Sequence, residues 1–367
     1  MENNDIKKIT NSKNKVIKFL DNNRYDKNES NQNITHQSYG IFRGTFYLDK
    51  HKRKEFMQLY NKAIKHGVKD LSILEKQGSY APIIVDIDLE MPHENYEEGT
   101  RLYNNDMIDE IVRKYIKSID KYIDIPNDKF RICIFEKTRP TKKDNIYKDG
   151  FHLMFPDLCI QTKMRHLIRC DVVKICEEDN TFEEFLHGAD KIIDKAVVSS
   201  NGWFLYGSTK PDNGQLYTLS YICDQNLNKI YDNINKLSYD VDTKKTFEND
   251  IDSETIVNFL SLQSSSYSKK KSTPYKNNNL DIDAEFAKLG ISSIVNENNN
   301  NNNNVSASKE EEIRKACKYT SMLSDERAKN YHDWMFVGLA LHNVDDSLLS
   351  AWIEFSKKSV KHTQCEF

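Results

Sequence analysis

What this 367-residue sequence lacks narrows its function first. No apolar run approaches the roughly 18 residues that span a bilayer, so no membrane helix is expected. Met1-Glu2-Asn3-Asn4-Asp5 opens into alternating polar and apolar residues without an apolar h-region, so no secretory signal is expected and the reading is intracellular. Seven cysteines (133, 159, 170, 176, 223, 317 and 365) include no CxxC pair; an odd, sparse set reads as reduced thiols. The GxxxxGK[ST] spacing of a P-loop is missing throughout, so nothing in these residues supports an ATPase motor. Charge of one sign is missing too: 53 Lys and Arg stand against 56 Asp and Glu. That balance argues against an indiscriminate nucleic-acid coat, but binding follows charge distribution, and a local basic groove is compatible with it.

With 38% hydrophobic and 30% charged residues, the chain reads as soluble, with room for two or three domains. Residues 1–35 are a polar, Asn-rich extension with one apolar patch at Val16-Ile17 and Phe19-Leu20. A strand is expected over 40–48, a helix over 50–67, a strand around residue 86 and a helix over 105–122. Two short apolar segments, 131–136 and 150–156, flank a basic loop with Arg139, Lys142, Lys143 and Lys148, and are expected to be neighbouring strands. Helices are expected over 162–176 and 181–187, the second opened by a Thr181/Glu184 capping box. Strands are expected over 192–198, 203–206 and 215–219. Strands mixed with long helices make residues 36–240 one α+β domain. Residues 241–307, rich in Ser, Lys and Asn and ending in the Asn run 298–304, read as a low-complexity linker with a helical island near 281–289. Its lysines either touch a phosphate backbone or are solvated linker charge. Residues 308–367 read as a small all-α unit, with Ser308/Glu311 as its cap. The chain stops at Phe367 soon after the last apolar set, an abrupt end that suggests an artificial boundary, a split gene or a further domain beyond it.

The most informative residues are Asp86 and Asp88, set in Ile83-Ile84-Val85-Asp86-Ile87-Asp88-Leu89. Strand side chains alternate faces, so both carboxylates emerge on one side. Two close like charges need compensation, and hard oxygen ligands suit Mg²⁺ or Mn²⁺. An acidic pair at a strand end that coordinates nothing is the competing reading of this fragment. His152 shares a strand face with Gly150 and Met154, and Gly150 removes a side chain beside the imidazole, leaving space for a ligand. Asp194 is one more acid on an apolar strand, and Leu205-Tyr206-Gly207-Ser208-Thr209-Lys210 supplies a turn with hydroxyls and a cation. Three carboxylates can hold two divalent ions, which clamp the attacking and leaving oxygens of a phosphoryl transfer. His166 and Cys170 stand at i,i+4, but the spacings to Cys176 and His187 match no structural zinc pattern, so core and surface roles are expected and zinc is not.

In this order the residues resemble the archaeo-eukaryotic primase superfamily, specifically the N-terminal primase part of the primase-helicases of large DNA viruses. Asp86 and Asp88 match its DxD metal motif, His152 its nucleotide-binding histidine, Asp194 its third metal carboxylate and Lys210 its phosphate-contacting lysine. The catalytic match spans about 40–225, and Trp334, Gly338, Leu341 and Trp352 resemble the small helical domain that follows such primases. The resemblance implies a DNA primase or primase-polymerase that uses two Mg²⁺ or Mn²⁺ ions held by Asp86, Asp88 and Asp194. Nucleoside triphosphate would meet His152 and Lys210, with Lys148 and Ser208 as further nucleotide-binding candidates. A single-stranded DNA template would follow Arg139, Lys142 and Lys143, or the cluster Lys50-His51-Lys52-Arg53-Lys54 unless that is a helix's wet face. A replicative helicase is the implied partner, and a viral replication site in the host, cytoplasm or nucleus, the implied place. The sequence departs from the pattern at Gly150, where many cousins have serine, and at Ser199-Ser200-Asn201, where some have arginines; Lys195, Arg139 or Lys142 would have to compensate. Strand acids alone also fit a metal-dependent nuclease or phosphatase, or a DNA-binding adaptor that recruits a helicase.

Overall fold

The computed structural model describes residues 2–29, 32–40, 42–68, 70–125, 130–211, 215–231, 256–264, 266–289 and 306–359. The Asn run 298–304 and the rest of 232–255 and 290–305 lie outside the described residues, as do the side chains of the Ser308/Glu311 cap. The chain divides into two compact units, Met1–Ile294 and Val295–Phe367. The first is a mixed α+β unit and the second is all-α over its described residues.

The first unit runs α1 (Glu2–Asp21), β1 (His36–Ser38), β2 (Gly44–Phe46), α2 (Lys50–Lys65), β3 (Ile73–Glu75), β4 (Tyr80–Pro92) and α3 (Asn105–Tyr122). It continues through β5 (Ile132–Glu136), β6 (Thr141–Lys143), β7 (Ile146–Gln161), α4 (Thr162–Glu178), α5 (Ala189–Ile192), β8 (Trp203–Phe204), β9 (Thr218–Cys223) and β10 (Lys229–Tyr231). Two antiparallel sheets result: a small one ordered β2-β1-β3-β8, and a large one ordered β10-β9-β5-β7-β4 with β6 on β7. Side-chain alternation gives the large sheet two apolar faces. Ile83, Val85, Ile87 and Leu89 of β4, with Phe151, Leu153 and Phe155 of β7, pack against Ile111, Tyr115 and Ile119 of α3 and Leu167 and Ile168 of α4. The opposite face, with Ile84, Cys133, Phe135, Met154 and Leu219, packs against Val16 and Leu20 of α1, Phe56 and Tyr60 of α2, and Ile73 of the small sheet. Helix starts follow ordinary capping: Asp49 accepts from the His51 and Lys52 amides, and Asn104 from the Met107 amide.

Several local expectations give way to tertiary demands. The strand expected over 40–48 is only Gly44–Phe46, with Gly40 at φ +75° in the turn before it. The helix expected over 181–187 is a series of turns. The Thr181 amide closes on Cys176 O and the Leu186 amide on Glu90 O, both at 3.0 Å, while Phe182 and Phe185 enter the core. The strand expected over 192–198 is not formed either. Ile192 ends α5, Ile193 makes a single bridge to Ile87, and Ala196–Val198 is a 3₁₀ turn.

Part of the span read as a linker is packed on the first unit. Ile256, Val257, Leu260 and Leu262 are buried, and the fully buried Glu75 carboxylate accepts from Ser261 Oγ at 2.5 Å and Leu262 N at 2.7 Å. Tyr267 Oη donates to Pro156 O at 3.0 Å, and Phe286 closes the α3–α4 core.

The second unit has described helices Ser306–Ser321, Asp325–Lys329, Tyr331–Val344 and Leu349–Ser356. Its centre is a stack of Trp334 on Trp352, centroids 4.7 Å apart, with Trp334 Nε1 donating to Ser356 Oγ at 2.7 Å. A Cβ at Gly338 would lie 2.5 Å from Trp352 Cε2, so only glycine admits the indole there. Among the described residues of either unit, no helix is long and apolar enough to cross a membrane.

Candidate active site

β4 and β7 place acids opposite a histidine, a glycine and a lysine: Asp86 pairs with His152, Asp88 with Gly150 and Glu90 with Lys148. By alternation all six lie on the sheet face that carries Ile84 and Met154. Asp86 Oδ1 and His152 Nε2 are 3.1 Å apart, with side chains 19% and 15% exposed. That carboxylate oxygen is buried and has no hydrogen-bond partner among the described residues. Burial works to raise the Asp86 pKa, but His152, Lys210 and Lys137 outweigh it and the group titrates below its ordinary value. Asp88 goes the other way. Lost hydration and the Asp86 charge push it up to about 6, against the pull of His152, Lys210 and Lys137.

The imidazole is held by rings. Tyr217, just before β9, stacks on His152 at 3.5 Å and 19°, and Trp203 of β8 stands at 4.5 Å. A ring stacked on one neighbour and packed against a second cannot turn without displacing them, so its orientation is set before any ligand arrives.

Gly150 serves a different purpose from the one its neighbourhood suggests. A Cβ there would lie 1.9 Å from Ile87 O, so the volume a side chain would need is occupied by the backbone of β4 rather than left open for a ligand. Lys148 is paired with Glu90, which also accepts from His187 Nε2 at 3.1 Å. Ser208 is buried, and its Oγ accepts from the Ile73 amide at 3.1 Å and shares a hydrogen bond with Tyr60 Oη at 2.9 Å. Its hydroxyl therefore fixes the turn that carries the exposed Lys210, whose charge acts on both Asp86 and Asp88. Arg139, Lys142 and Lys143 are exposed on and before the β6–β7 hairpin, with Arg139 N donating to Gln215 Oε1 at 3.1 Å. His166, Cys170 and Cys176 are buried in or beside the α4 core.

Asp194 lies on a loop, not a strand. Its amide donates to Asp86 O at 3.0 Å, which puts it against the outer edge of β4, and its Oδ1 accepts from the Ala196 amide at 2.8 Å. Among the described residues no three His, Cys, Asp or Glu side chains form a ready cage for a metal. The donor chemistry nevertheless fits a hard divalent cation. Asp86 and Asp88 offer carboxylate oxygens on one face, one of them buried beside His152 without a well-formed hydrogen bond among the described residues, and their mutual repulsion is what a cation would relieve.

Lys137 carries no signal in the sequence beyond being a cation at a strand end. It follows β5 on the side of Phe135, the cross-strand partner of His152. Arg101 Nη1 donates to its carbonyl at 2.9 Å, and Arg101 is itself held by the buried Asp149 at 2.7 and 2.9 Å. The Lys137 ammonium stands 5.5 Å from the Tyr217 centroid and makes no ion pair among the described residues. Desolvation lowers its pKa, with Asp149, Asp88 and Asp86 pulling the other way.

Residues 35–223, the stretch that contains this whole constellation, match the family described as C962R protein N-terminal AEP domain. The chain belongs to the archaeo-eukaryotic primase (AEP) family. Residues 316–366 match the Primase C terminal 2 (PriCT-2) family, so the AEP domain is followed by the small helical unit described above. The AEP chain is 29% identical over 356 residues to candidate helicase L207/L206 of Acanthamoeba polyphaga mimivirus, covering 92% of this chain and 36% of that protein. It is also 29% identical over 356 residues to candidate helicase 184R of Invertebrate iridescent virus 6, covering 90% and 36%. Candidate helicase 121R of Invertebrate iridescent virus 3 is 24% identical over 345 residues, covering 89% and 36%. The chain thus spans little more than a third of the length of these relatives. AEP membership is membership of a catalytic family, so the chain is a primase-type enzyme, and metal-dependent catalysis is a generic property of that family.

Proposed function

We propose that this chain is a DNA primase or primase-polymerase that joins nucleotides on a single-stranded DNA template. The observation that carries the reading is the pairing of Asp86 with His152 across β4 and β7, with Asp88 one step along the same face. It supports the reading because a carboxylate pair suited to a hard cation and an imidazole suited to phosphate stand side by side inside the matched AEP segment.

Asp86, Asp88 and Asp194 are the residues that would hold Mg²⁺ or Mn²⁺. Such ions supply charge stabilisation at the α-phosphate and a more acidic attacking hydroxyl. His152, oriented by Tyr217 and Trp203, meets phosphate oxygens together with Lys210 and Lys137. Lys148 is a weaker contributor because Glu90 already holds it. Ser208 acts on the nucleotide only through the position of Lys210. The exposed Arg139, Lys142 and Lys143 hairpin is the template-side surface, where phosphate contacts provide affinity without sequence readout.

The relatives' designation as candidate helicases supports a replicative helicase, in the same polypeptide or as a separate subunit, as partner. A viral replication site inside the host cell follows from that reading. The deciding experiment is extension with and without a primer, comparing NTPs with dNTPs in Mg²⁺ and Mn²⁺. Template-directed incorporation that disappears in Asp86→Ala and Asp88→Ala is expected. Cleavage of the template without incorporation would turn the assignment towards a nuclease.

A further inference from the structure

Helix α4 carries Arg165 and Arg169 one turn apart, each only 3% exposed. Arg165 has no ion pair among the described residues, and the carboxylate partner of Arg169, Asp190, is 80% exposed. Burying a guanidinium is costly unless its donors are matched, so what these donors hold is informative. Arg169 Nε donates to Ile193 O at 3.0 Å. Its Nη2 donates to Asp190 O and Ile193 O at 2.5 Å each, and its Nη1 to Asp190 Oδ1 at 2.8 Å. Arg165 Nη1 donates to Val198 O at 3.0 Å, and its Nη2 to Gly78 O at 3.1 Å and Thr162 Oγ1 at 2.9 Å. The two side chains therefore grip the chain immediately before Asp194 and four residues after it.

β4 is the edge strand of the large sheet, and the Asp194 loop adds to that edge by very little. One bridge, Ile87 to Ile193, and one bond, Asp194 N to Asp86 O, are the backbone links recorded there among the described residues. So short a ladder specifies register weakly. Arg165, Arg169 and Asp194 also line, with Ile84 and Val85, a cavity of about 10 Å³, room for about one water. Arg165 Nε is buried without a hydrogen-bond partner among the described residues.

We infer that Arg165 and Arg169 are positioning residues: in place of a strand ladder they set the register of the Asp194 loop against β4, and thereby the placing of Asp194 beside Asp86. The inference rests on the reading of Asp194 as a metal carboxylate only for its functional consequence. The positioning itself can be read without metal.

The test uses the full chain as wild type, Arg169→Lys, Asp194→Asn and the double variant. Hydrogen exchange at the Asp194 and Ala196 amides is followed in metal-free protein, and binding of Mn²⁺ alone is followed by electron paramagnetic resonance. Arg169→Lys is expected to speed exchange at both amides and to weaken Mn²⁺ binding about tenfold, the lower end of what losing a ligand-orienting partner costs. In the Asp194→Asn background it is expected to add no further loss, because it acts through that carboxylate. Unchanged exchange, or losses that add in the double variant, overturns the inference. If Asp194→Asn leaves Mn²⁺ binding untouched, the reading of Asp194 as a ligand fails, and the exchange rates alone then decide the positioning role. Should Arg169→Lys not fold, Asp190→Ala, which removes only the exposed carboxylate of the grip, carries the same measurements with a smaller expected change. Arg131→Lys, whose ion pair with Asp157 lies outside this loop, is expected to lower the melting temperature without changing Mn²⁺ affinity.

Discussion

Asp86 and His152 face each other across β4 and β7 with 3.1 Å between Oδ1 and Nε2, yet the carboxylate oxygen has no hydrogen-bond partner among the described residues. His152, Lys210 and Lys137 already favour the charge on Asp86, and a hard cation would complete its oxygen coordination. Asp86→Asn and Asp88→Asn are therefore expected to lower nucleotide incorporation by at least roughly 100-fold, the scale for losing one preorganised electrostatic contributor. Both variants also remove the repulsion between the two acids. The metal-free melting temperature of Asp88→Asn should equal or exceed that of wild type, because the fold disfavours that charge, whereas Asp86→Asn gives up the attraction of His152, Lys210 and Lys137 and should not exceed it; a melt monitored by circular dichroism checks both beside the extension assay.

The raised pKa of Asp88, about 6, has a pH signature. An ordinary carboxyl in the unfolded chain titrates near 4, so between the two values the folded state binds the extra proton. The resulting stabilisation is complete below the unfolded value and is lost as pH rises through about 6 in metal-free protein. Metal binding has the opposite trend, tightening over the same interval as the proton leaves. Melts of wild type and Asp88→Asn across pH 4 to 8 isolate the Asp88 contribution, and calorimetry in two buffers counts the proton released by Mg²⁺. A difference between the two proteins that does not change with pH would reject the assignment.

Lys137→Met keeps the length of the side chain and removes its charge. A charge-assisted hydrogen bond contributes about 1.5–3 kcal/mol, so KM for the nucleoside triphosphate is expected to rise about 10- to 100-fold. Lys148→Met should do much less, because Glu90 already occupies that ammonium. Steady-state kinetics of the two variants side by side decide between them, and equal effects would contradict the ranking.

The acid pair, the strand histidine and the long helices were readable because alternation and helical periodicity are local properties. Other parts depend on partners distant in sequence. Phe135-Glu136-Lys137 reads as an ordinary strand end, and Lys137 gains meaning only from Tyr217, Arg101 and the β5–β7 register. Ile192-Ile193 and Ala196-Val197-Val198 have strand-like composition, but the end of α5 and a 3₁₀ turn take these residues, and Arg169 holds the Ile193 carbonyl on the side away from β4. The Ser- and Lys-rich stretch from 256 to 289 looks like a linker because its anchors are sparse. Leu260, Leu262, Tyr267 and Phe286 nonetheless find sites on the first unit, and the buried Glu75 carboxylate binds Ser261 and the Leu262 amide.

Gly150→Ser would introduce the serine that the family resemblance leads one to expect, but the new Cβ would meet Ile87 O at 1.9 Å. β4 would have to move away from β7 at the Asp88 position. Overpacking of this kind costs about 1–3 kcal/mol, so urea denaturation should show a loss of that order. Incorporation should fall rather than rise, because Asp88 moves with its strand. A gain in activity at unchanged stability would mean that the serine hydroxyl can be accommodated.

The exposed hairpin offers the last test. Arg139, Lys142 and Lys143 are solvent-facing and lie beyond the acid pair on the β6–β7 side. If they meet template phosphates, their removal should weaken binding to all single-stranded sequences alike, since phosphates carry no base information. Each phosphate contact on a single strand contributes about 0.7 to the slope of log affinity against log salt, so the triple alanine variant should be shallower by roughly 2. Fluorescence anisotropy with a labelled oligonucleotide at several salt concentrations measures this directly. An unchanged slope with an unchanged melt would place the template on another surface, and the Lys50–Lys54 cluster at the start of α2 would be the next to substitute.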